Sequence, residues 1–341
     1  MQMDRQSWWR VGKTLLALAI IVGVGGRFAE ILRHPDVWRR RLAPEWLAGG
    51  LAVYVAGLGF SALFWYWLLA ALGEKPHLIA TVRAYYIGHM GKYVPGKAWG
   101  LLLRTSLLAP SGIRPAVGAL TATYETLTTM AAGALMAAVL FALLAAGSAG
   151  AWSALGLLAL AGLPILPVFF NPLMKVIAVL AGRAAQRFSS EADVAPLPKV
   201  RFITLLGGLV LTCWGWAFLG LSLYAVLCTV APEPLPLRWE IWGRCTAFVS
   251  LAWVAGFAAF LTPGGLGVRE MILEPLLTAE LAPYVPAGDA QKAAVVAVVL
   301  LRLLWTVAEI MMVAVVWRLP ASASLPEPIP PVPTSEPGPA P

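Results

Sequence analysis

The stretch VGALTATYETLTTMAAGALMAAVLFALLAA, residues 117–146, decides the fold class. It carries one charged side chain, Glu125, and exceeds the roughly 20 apolar residues with which a helix crosses a hydrocarbon core of about 30 Å. A membrane β-barrel would instead show short segments in which apolar and polar residues alternate. Helices are the remaining way to satisfy the backbone hydrogen bonds in lipid.

The composition extends this conclusion to the whole chain. Of 341 residues, 60% are hydrophobic and only 12% are charged, and the mean hydropathy is +0.77, which argues against a soluble globular protein. The net charge of +8 would suggest nucleic-acid binding in a soluble chain. Here the basic residues lie mostly between apolar stretches, so we expect anionic lipid headgroups as their partners and no nucleic acid.

The order of the apolar segments predicts an all-α polytopic membrane protein built as two repeats. About six full spans are expected, near 11–28, 46–72, 115–147, 151–171, 202–230 and 290–317. Two other segments, 78–109 and 241–281, are interrupted by Pro-Gly and predict re-entrant hairpins. The order span, span, hairpin, span therefore occurs twice.

These repeats define one transmembrane domain, 1–317, with repeat one at about 11–147 and repeat two at about 151–317. Each repeat crosses the membrane an odd number of times, so the second repeat should be inverted relative to the first, as in many transporters. The proline-rich tail, 318–341, cannot bury enough apolar surface to order itself and is predicted to be disordered.

The distribution of cations predicts the orientation of the chain. The 27–45 loop carries five arginines and by itself would favour a cytoplasmic position for that loop. More cations are expected on the opposite side of the membrane from this loop. They are the basic residues near the N-terminus, those between 172 and 201, and Arg318. We therefore expect a multi-pass protein of the cell (inner, cytoplasmic) membrane with both termini in the cytoplasm.

Polar stripes mark two of the predicted spans. A charged residue within the bilayer costs about 2.5 to 3.5 kcal/mol on insertion scales, so it should face a partner, a cavity or a substrate. Two sets of polar residues with identical helical spacing occur in equivalent spans: Thr121, Tyr124, Glu125 and Thr128, and then Arg302, Trp305, Thr306 and Glu309. Both stripes should face the shared interior, although hydrogen-bonded seams between helices would give the same pattern.

The two Pro-Gly breaks predict an anion site. Proline stops the incoming helix, and glycine leaves amide groups approachable at the start of the outgoing helix, where an anion is favoured. Lys97, Arg104 and Arg269 supply cations near these breaks. Lys92 lies on a polar face with Thr81, Tyr85 and His89. A phosphate is the expected ligand, while an ordinary loop is the alternative for each Pro-Gly.

The motifs YVPGKAWGLLLR at 93–104 and PGGLGVRE at 263–270 resemble those of the lysylphosphatidylglycerol synthase transmembrane-region family, the flippase-like integral membrane proteins. The resemblance covers roughly 10–317 and implies a domain that handles lipids. By position it carries over Pro95, Gly96, Lys97, Arg104, Glu125, the segment 263–270 and Arg302. The family's first motif commonly continues with Gly-Glu, whereas Leu101 follows Gly100 here. The chain shows no counterpart of the soluble aminoacyl-transferase domain, so we do not expect it to synthesise the aminoacyl lipid.

These observations favour a lipid flippase that moves an anionic phospholipid or a polyprenyl-phosphate-linked lipid between leaflets. The sequence has no P-loop and its three histidines are isolated, so we expect no enzyme activity, no metal and no cofactor. Two alternatives stay open: a non-transporting membrane partner of a lipid or cell-envelope biosynthetic enzyme, and a membrane-embedded lipid-phosphate enzyme. The oligomeric state is not indicated. The candidate headgroup-binding residues are Lys92, Gly96, Lys97, Arg104, Tyr124, Glu125, Gly264, Gly265, Arg269, Glu270, Arg302 and Glu309.

Overall fold

The computed structural model describes residues 43–93, 99–144, 200–258, 265 and 267–319. Within these ranges the chain forms α-helices and short 3-10 turns and contains no strand, which confirms the all-α prediction. The helices are α1 Pro44–Ala71, α2 Leu78–His89, α3 Trp99–Leu108, α4 Pro115–Leu144, α5 Phe202–Val230, α6 Trp239–Ala258, α7 Val268–Leu281 and α8 Ala290–Trp317.

Five of the described helices are long and apolar enough to cross a membrane. Four of them, α1, α4, α5 and α8, occupy predicted spans, and the fifth is α6, with 20 residues. The second hairpin thus differs from the first, because its incoming arm continues for 20 residues before the break, whereas α2 has only 12. The predicted spans 11–28 and 151–171 and nearly all of the tail lie outside the described residues, so the total of six spans stays a prediction.

Both predicted hairpins have interrupted helices. In the first, α2 ends at His89 and a 3-10 turn leads to Tyr93; the Pro95-Gly96 break itself is not among the described residues. In the second, Gly265 and Gly267 have φ angles of 71° and 86°, a left-handed backbone conformation that glycine adopts without steric cost. The amide of Gly267 donates to Glu270 Oε2 at 2.7 Å and so caps the start of α7.

Helices α1 and α5 pack closely in antiparallel orientation. A Cβ atom on Gly57 would lie 3.1 Å from the carbonyl oxygen of Gly215, and a Cβ on Gly215 would lie 3.0 Å from that of Gly57. Further along α1, Phe64 packs on Gly208, which precedes Gly215 in α5. Residue numbers therefore rise along one helix while they fall along the other. Glycine allows this approach because any side chain would separate the two backbones.

An internal sequence repeat accompanies this packing. Residues 47–69, LAGGLAVYVAGLGFSALFWYWLL, align without a gap with residues 205–227, LLGGLVLTCWGWAFLGLSLYAVL. Gly57 is thereby equivalent to Gly215, and Phe60 to Phe218; the two phenylalanine rings touch, with centroids 5.2 Å apart. Contact between equivalent residues is what two halves related by a two-fold axis would show.

The remaining helix contacts occur in matched pairs. The contact of α2 with α8 corresponds to that of α6 with α4. The contact of α3 with α4 corresponds to that of α7 with α8, and the contact of α1 with α8 corresponds to that of α5 with α4. Exchanging the two halves of the chain leaves this pattern unchanged. Together with the antiparallel α1 and α5, this pattern is the one expected of inverted repeats, and the membrane topology itself stays a prediction.

That topology predicts opposite accessibility for the entrances of the two hairpins. Lys75, just after α1, and Glu233, just after α5, are both exposed. In a background that lacks Cys213, Cys228 and Cys245, Lys75→Cys and Glu233→Cys should react with a membrane-impermeant thiol reagent from opposite sides of the membrane. Reaction of both from the same side would contradict the inverted arrangement.

The first hairpin should tolerate no side chain at Gly91. A Cβ there would lie 2.4 Å from the backbone nitrogen of Gly100, so the two arms would have to separate. We expect Gly91→Ala to lower the stability by about 1 to 3 kcal/mol, measured as a lower melting temperature of the purified protein. Gly49→Ala is the matched control, because it lies in α1 with open space around it and should be neutral or stabilising. Equal melting temperatures for the two variants would contradict the close approach.

Candidate functional site

Glu309 of α8 is the centre of the first group of buried polar residues. It is 3% exposed and accepts hydrogen bonds from Tyr54, from Lys92 Nζ at 2.5 Å and from Tyr93 at 2.8 Å. His89 Nε2 lies 3.6 Å from its Oε1. Lys92 and Tyr93 come from the end of the first hairpin's incoming arm, so this carboxylate joins the first hairpin to the last span.

Glu125 of α4 is the centre of the second group. Arg104 Nη1 donates to it at 2.6 Å, and Thr129 and Tyr85 donate at 3.1 and 3.3 Å. The Arg104 guanidinium also lies over the Tyr85 ring, 4.1 Å from its centroid. The Tyr85 ring stacks in turn on His89, which links this group to that of Glu309.

Glu270 and Arg302 form a third group with Arg269. Arg302 Nε makes an ion pair with Glu270 Oε1 outside hydrogen-bond geometry, while Arg302 Nη2 is buried and has no hydrogen-bond partner among the described residues. The Arg269 guanidinium lies over the Trp253 ring, 4.0 Å from its centroid. Its Nε is buried without a hydrogen-bond partner in the described part of the chain.

A stack of aromatic rings connects these groups. Trp305 stacks on Tyr54 and contacts Trp253, with a centroid distance of 4.4 Å in each case. The Trp305 indole donates to Ser222 Oγ at 2.9 Å, and Ser222 donates to the carbonyl of Gly50 at 2.8 Å. These contacts pack the rings of α1, α6 and α8 against one another beside the charged side chains.

We call the seven lysine, arginine and glutamate residues of these groups the charge cluster: Lys92, Arg104, Glu125, Arg269, Glu270, Arg302 and Glu309. Both halves of the chain contribute to it. Charged side chains rarely persist in a membrane-spanning bundle unless they pair with one another or serve a ligand. The arrangement can bind an anion through its arginines. Within the described residues, no group of three or more His, Cys, Asp or Glu side chains could hold a metal ion.

Comparison with known families agrees with this architecture. A family profile described as the lysylphosphatidylglycerol synthase TM region matches residues 11–308. The chain belongs to this family. Membership indicates a multi-pass membrane protein of lipid metabolism or transport. Among curated proteins, no match is found.

The match to the lysylphosphatidylglycerol synthase TM region spans both hairpins and includes every member of the charge cluster except Glu309. Of the residues predicted from sequence, the structure brings Lys92 to Glu309, Arg104 to Glu125 and Arg302 to Glu270, with Arg269 beside Trp253. Of the other candidates, Tyr124 lies in the apolar core and Gly265 packs on Gly256. Gly96, Lys97 and Gly264 are outside the described residues.

Sequence reasoning missed two residues of this family member's site, Tyr54 and Trp253. Tyr54 lies in the apolar helix α1, whose few polar residues form no stripe. Trp253 resembles any core tryptophan until Arg269 is seen over its ring. The available signal was positional, since Trp253 precedes Gly256 as Tyr85 precedes Gly88 in the first hairpin.

Proposed function

We propose that this protein is a lipid transporter of the cytoplasmic membrane, with both termini in the cytoplasm, which moves an anionic phospholipid or a polyprenyl-phosphate-linked lipid between leaflets. In this proposal the headgroup enters the charge cluster and the acyl or prenyl chains stay in the bilayer. The protein needs no cofactor for this role and is not an enzyme.

The ion pair between Lys92 and Glu309 is the observation that carries the proposal. It joins the first hairpin of one half to the last span of the other, with Nζ and Oε1 only 2.5 Å apart. Charges that link two halves of a transporter can exchange internal partners for substrate contacts as the halves move. A purely structural seam would need only hydrogen bonds between neutral side chains.

A reconstitution experiment tests this function. Vesicles that contain the purified protein and fluorescent phosphatidylglycerol are treated with dithionite, which bleaches only the outer leaflet. We expect bleaching to extend to inner-leaflet lipid in the presence of the protein. Lys92→Met should abolish this, whereas Arg114→Gln, which removes a cation paired with Glu74 outside the cluster, should not.

Two outcomes would favour the alternatives. Lipid retained by the protein in native mass spectrometry without any movement between leaflets would favour a non-transporting partner of a lipid or cell-envelope biosynthetic enzyme. Chemical change of the headgroup by the purified protein would favour a membrane-embedded lipid-phosphate enzyme. The described residues offer Glu125 and Glu270 for such chemistry, and each is already engaged by an arginine.

A further inference from the structure

The first hairpin holds an arginine whose positive charge is neutralised inside the protein. Arg104 lies against Gly88, where a Cβ atom would come within 2.3 Å of its Cγ, and its guanidinium covers the ring of Tyr85. Gly100 lies four residues before it. With its aromatic platform on one side, the guanidinium donates to Glu125 at 2.6 Å.

The second hairpin repeats this construction around Arg269. A Cβ atom on Gly256 would come within 2.7 Å of the Arg269 Cγ, and the guanidinium covers the ring of Trp253. Gly265 lies four residues before the arginine, and Trp253 lies three residues before Gly256, as Tyr85 lies three before Gly88. Arg269 is therefore the counterpart of Arg104.

The carboxylate that neutralises Arg104 has no counterpart in ion-pair contact with Arg269. Arg104 pairs with Glu125 at 2.6 Å. Arg269 makes no ion pair within the described residues, although its guanidinium lies over Trp253 in the same way. The two equivalent arginines therefore differ in their ion pairing.

The charges of the cluster agree with this comparison. Each carboxylate of the cluster already has a cation: Lys92 for Glu309, Arg104 for Glu125 and Arg302 for Glu270. Among the described members, Arg269 is the cation left over. A buried guanidinium without a carboxylate in ion-pair contact is costly, which makes its position suited to a ligand that brings one negative charge.

We propose that Arg269, assisted by the unpaired Nη2 of Arg302, binds the singly charged phosphodiester of an anionic phospholipid that carries no ammonium group. The inference rests on the proposed function and narrows its substrate. Glu125 then occupies, in the first half of the protein, the place that the lipid phosphate takes in the second. The first half keeps its anion permanently, and the second half accepts one from the bilayer.

Charge balance sets the selectivity. The ammonium of a zwitterionic lipid would need a carboxylate, and all three in the cluster are engaged. A phosphomonoester such as phosphatidic acid or a polyprenyl phosphate carries about 1.5 to 2 negative charges at neutral pH. Its additional charge would have no partner among the described residues. We therefore expect phosphatidylglycerol to bind more tightly than phosphatidylethanolamine, phosphatidic acid or a polyprenyl phosphate.

The test adds a fourth carboxylate to the charge cluster. The Thr306 hydroxyl contacts that of Tyr93, which also donates to Glu309, so a longer side chain at this position borders the cluster. Thr306→Glu should offset the charge of the surplus cation, lower phosphatidylglycerol retention in native mass spectrometry by at least about tenfold, and keep or raise the melting temperature. Thr306→Gln is the control of equal size without charge; both variants lose the contact of Thr306 with Tyr93, and the control should retain the lipid. The wild-type protein, titrated with the four lipids, tests selectivity without any substitution.

The outcomes separate this inference from the proposed function. Failure of the wild-type protein to bind any of these lipids would overturn both. Binding of phosphatidylglycerol that survives Thr306→Glu, or tighter binding of phosphatidic acid or the polyprenyl phosphate, would overturn the charge-matching inference and leave lipid transport standing. Stabilisation by inorganic phosphate alone, without an effect of phosphatidylglycerol, would show a free anion as the ligand and overturn the lipid assignment.

Discussion

Glu125→Gln is expected to lower the stability of the protein by about 3 to 5 kcal/mol, because it leaves the Arg104 guanidinium buried without a counter-ion. Glu125 is 2% exposed and Arg104 is 7% exposed, so water cannot replace the lost interaction. The measurement is the melting temperature of the purified protein in detergent, together with the yield of folded protein from the membrane.

The double variant Arg104→Gln/Glu125→Gln is the control for this prediction. It removes both charges, so it should recover a large part of the stability that the single variant loses. A single variant as stable as the wild type would show that the pair is solvated and that the second group of the charge cluster is not buried in the membrane-embedded protein.

Arg269→Gln is expected to weaken binding of anionic lipid by about ten- to a hundredfold and to change the melting temperature little. A charge-assisted hydrogen bond contributes roughly 1.5 to 3 kcal/mol, and each 1.4 kcal/mol is tenfold in affinity. The small effect on stability follows because no described carboxylate pairs with Arg269, so none is stranded by its removal.

Arg104→Gln is the matched control, since it makes the same chemical change at the equivalent position of the first hairpin. It should lower the melting temperature strongly, because Glu125 loses its cation. Lipid affinity and melting temperature are measured on the same preparations. If Arg269→Gln lowers the melting temperature as Arg104→Gln does and leaves the affinity unchanged, Arg269 is a structural residue and the proposed site is wrong.

The positions of the long helices could be predicted closely from the sequence. Helices α5 and α8 have the predicted bounds 202–230 and 290–317, and α4 begins at the predicted residue, Pro115. Insertion into lipid depends on a local property, the length of an uninterrupted apolar run, so it can be read residue by residue. Proline fixes helix starts for an equally local reason.

The candidate residues could be predicted as members of polar stripes, but their partners could not. The polar face that carries Lys92 predicts that it lines a site, yet nothing in the sequence indicates that it pairs with Glu309, which lies 217 residues away. Tyr54 could not be predicted because the few polar residues of its apolar helix form no stripe. Such contacts depend on how helices pack, and many packings satisfy the same hydropathy.

The sequence by itself determined that the chain is helical, that it lies in the membrane, that two Pro-Gly breaks interrupt it, and which few ionisable side chains enter the apolar segments. Those features follow from the cost of exposing backbone and charge to lipid, which each segment meets on its own. Only the tertiary structure decided that Glu125 neutralises Arg104 while Arg269 lies over Trp253 without a described carboxylate. The physical reason is that an ion pair requires two atoms within about 4 Å, and helices distant in sequence reach that separation only through the packing of the whole bundle.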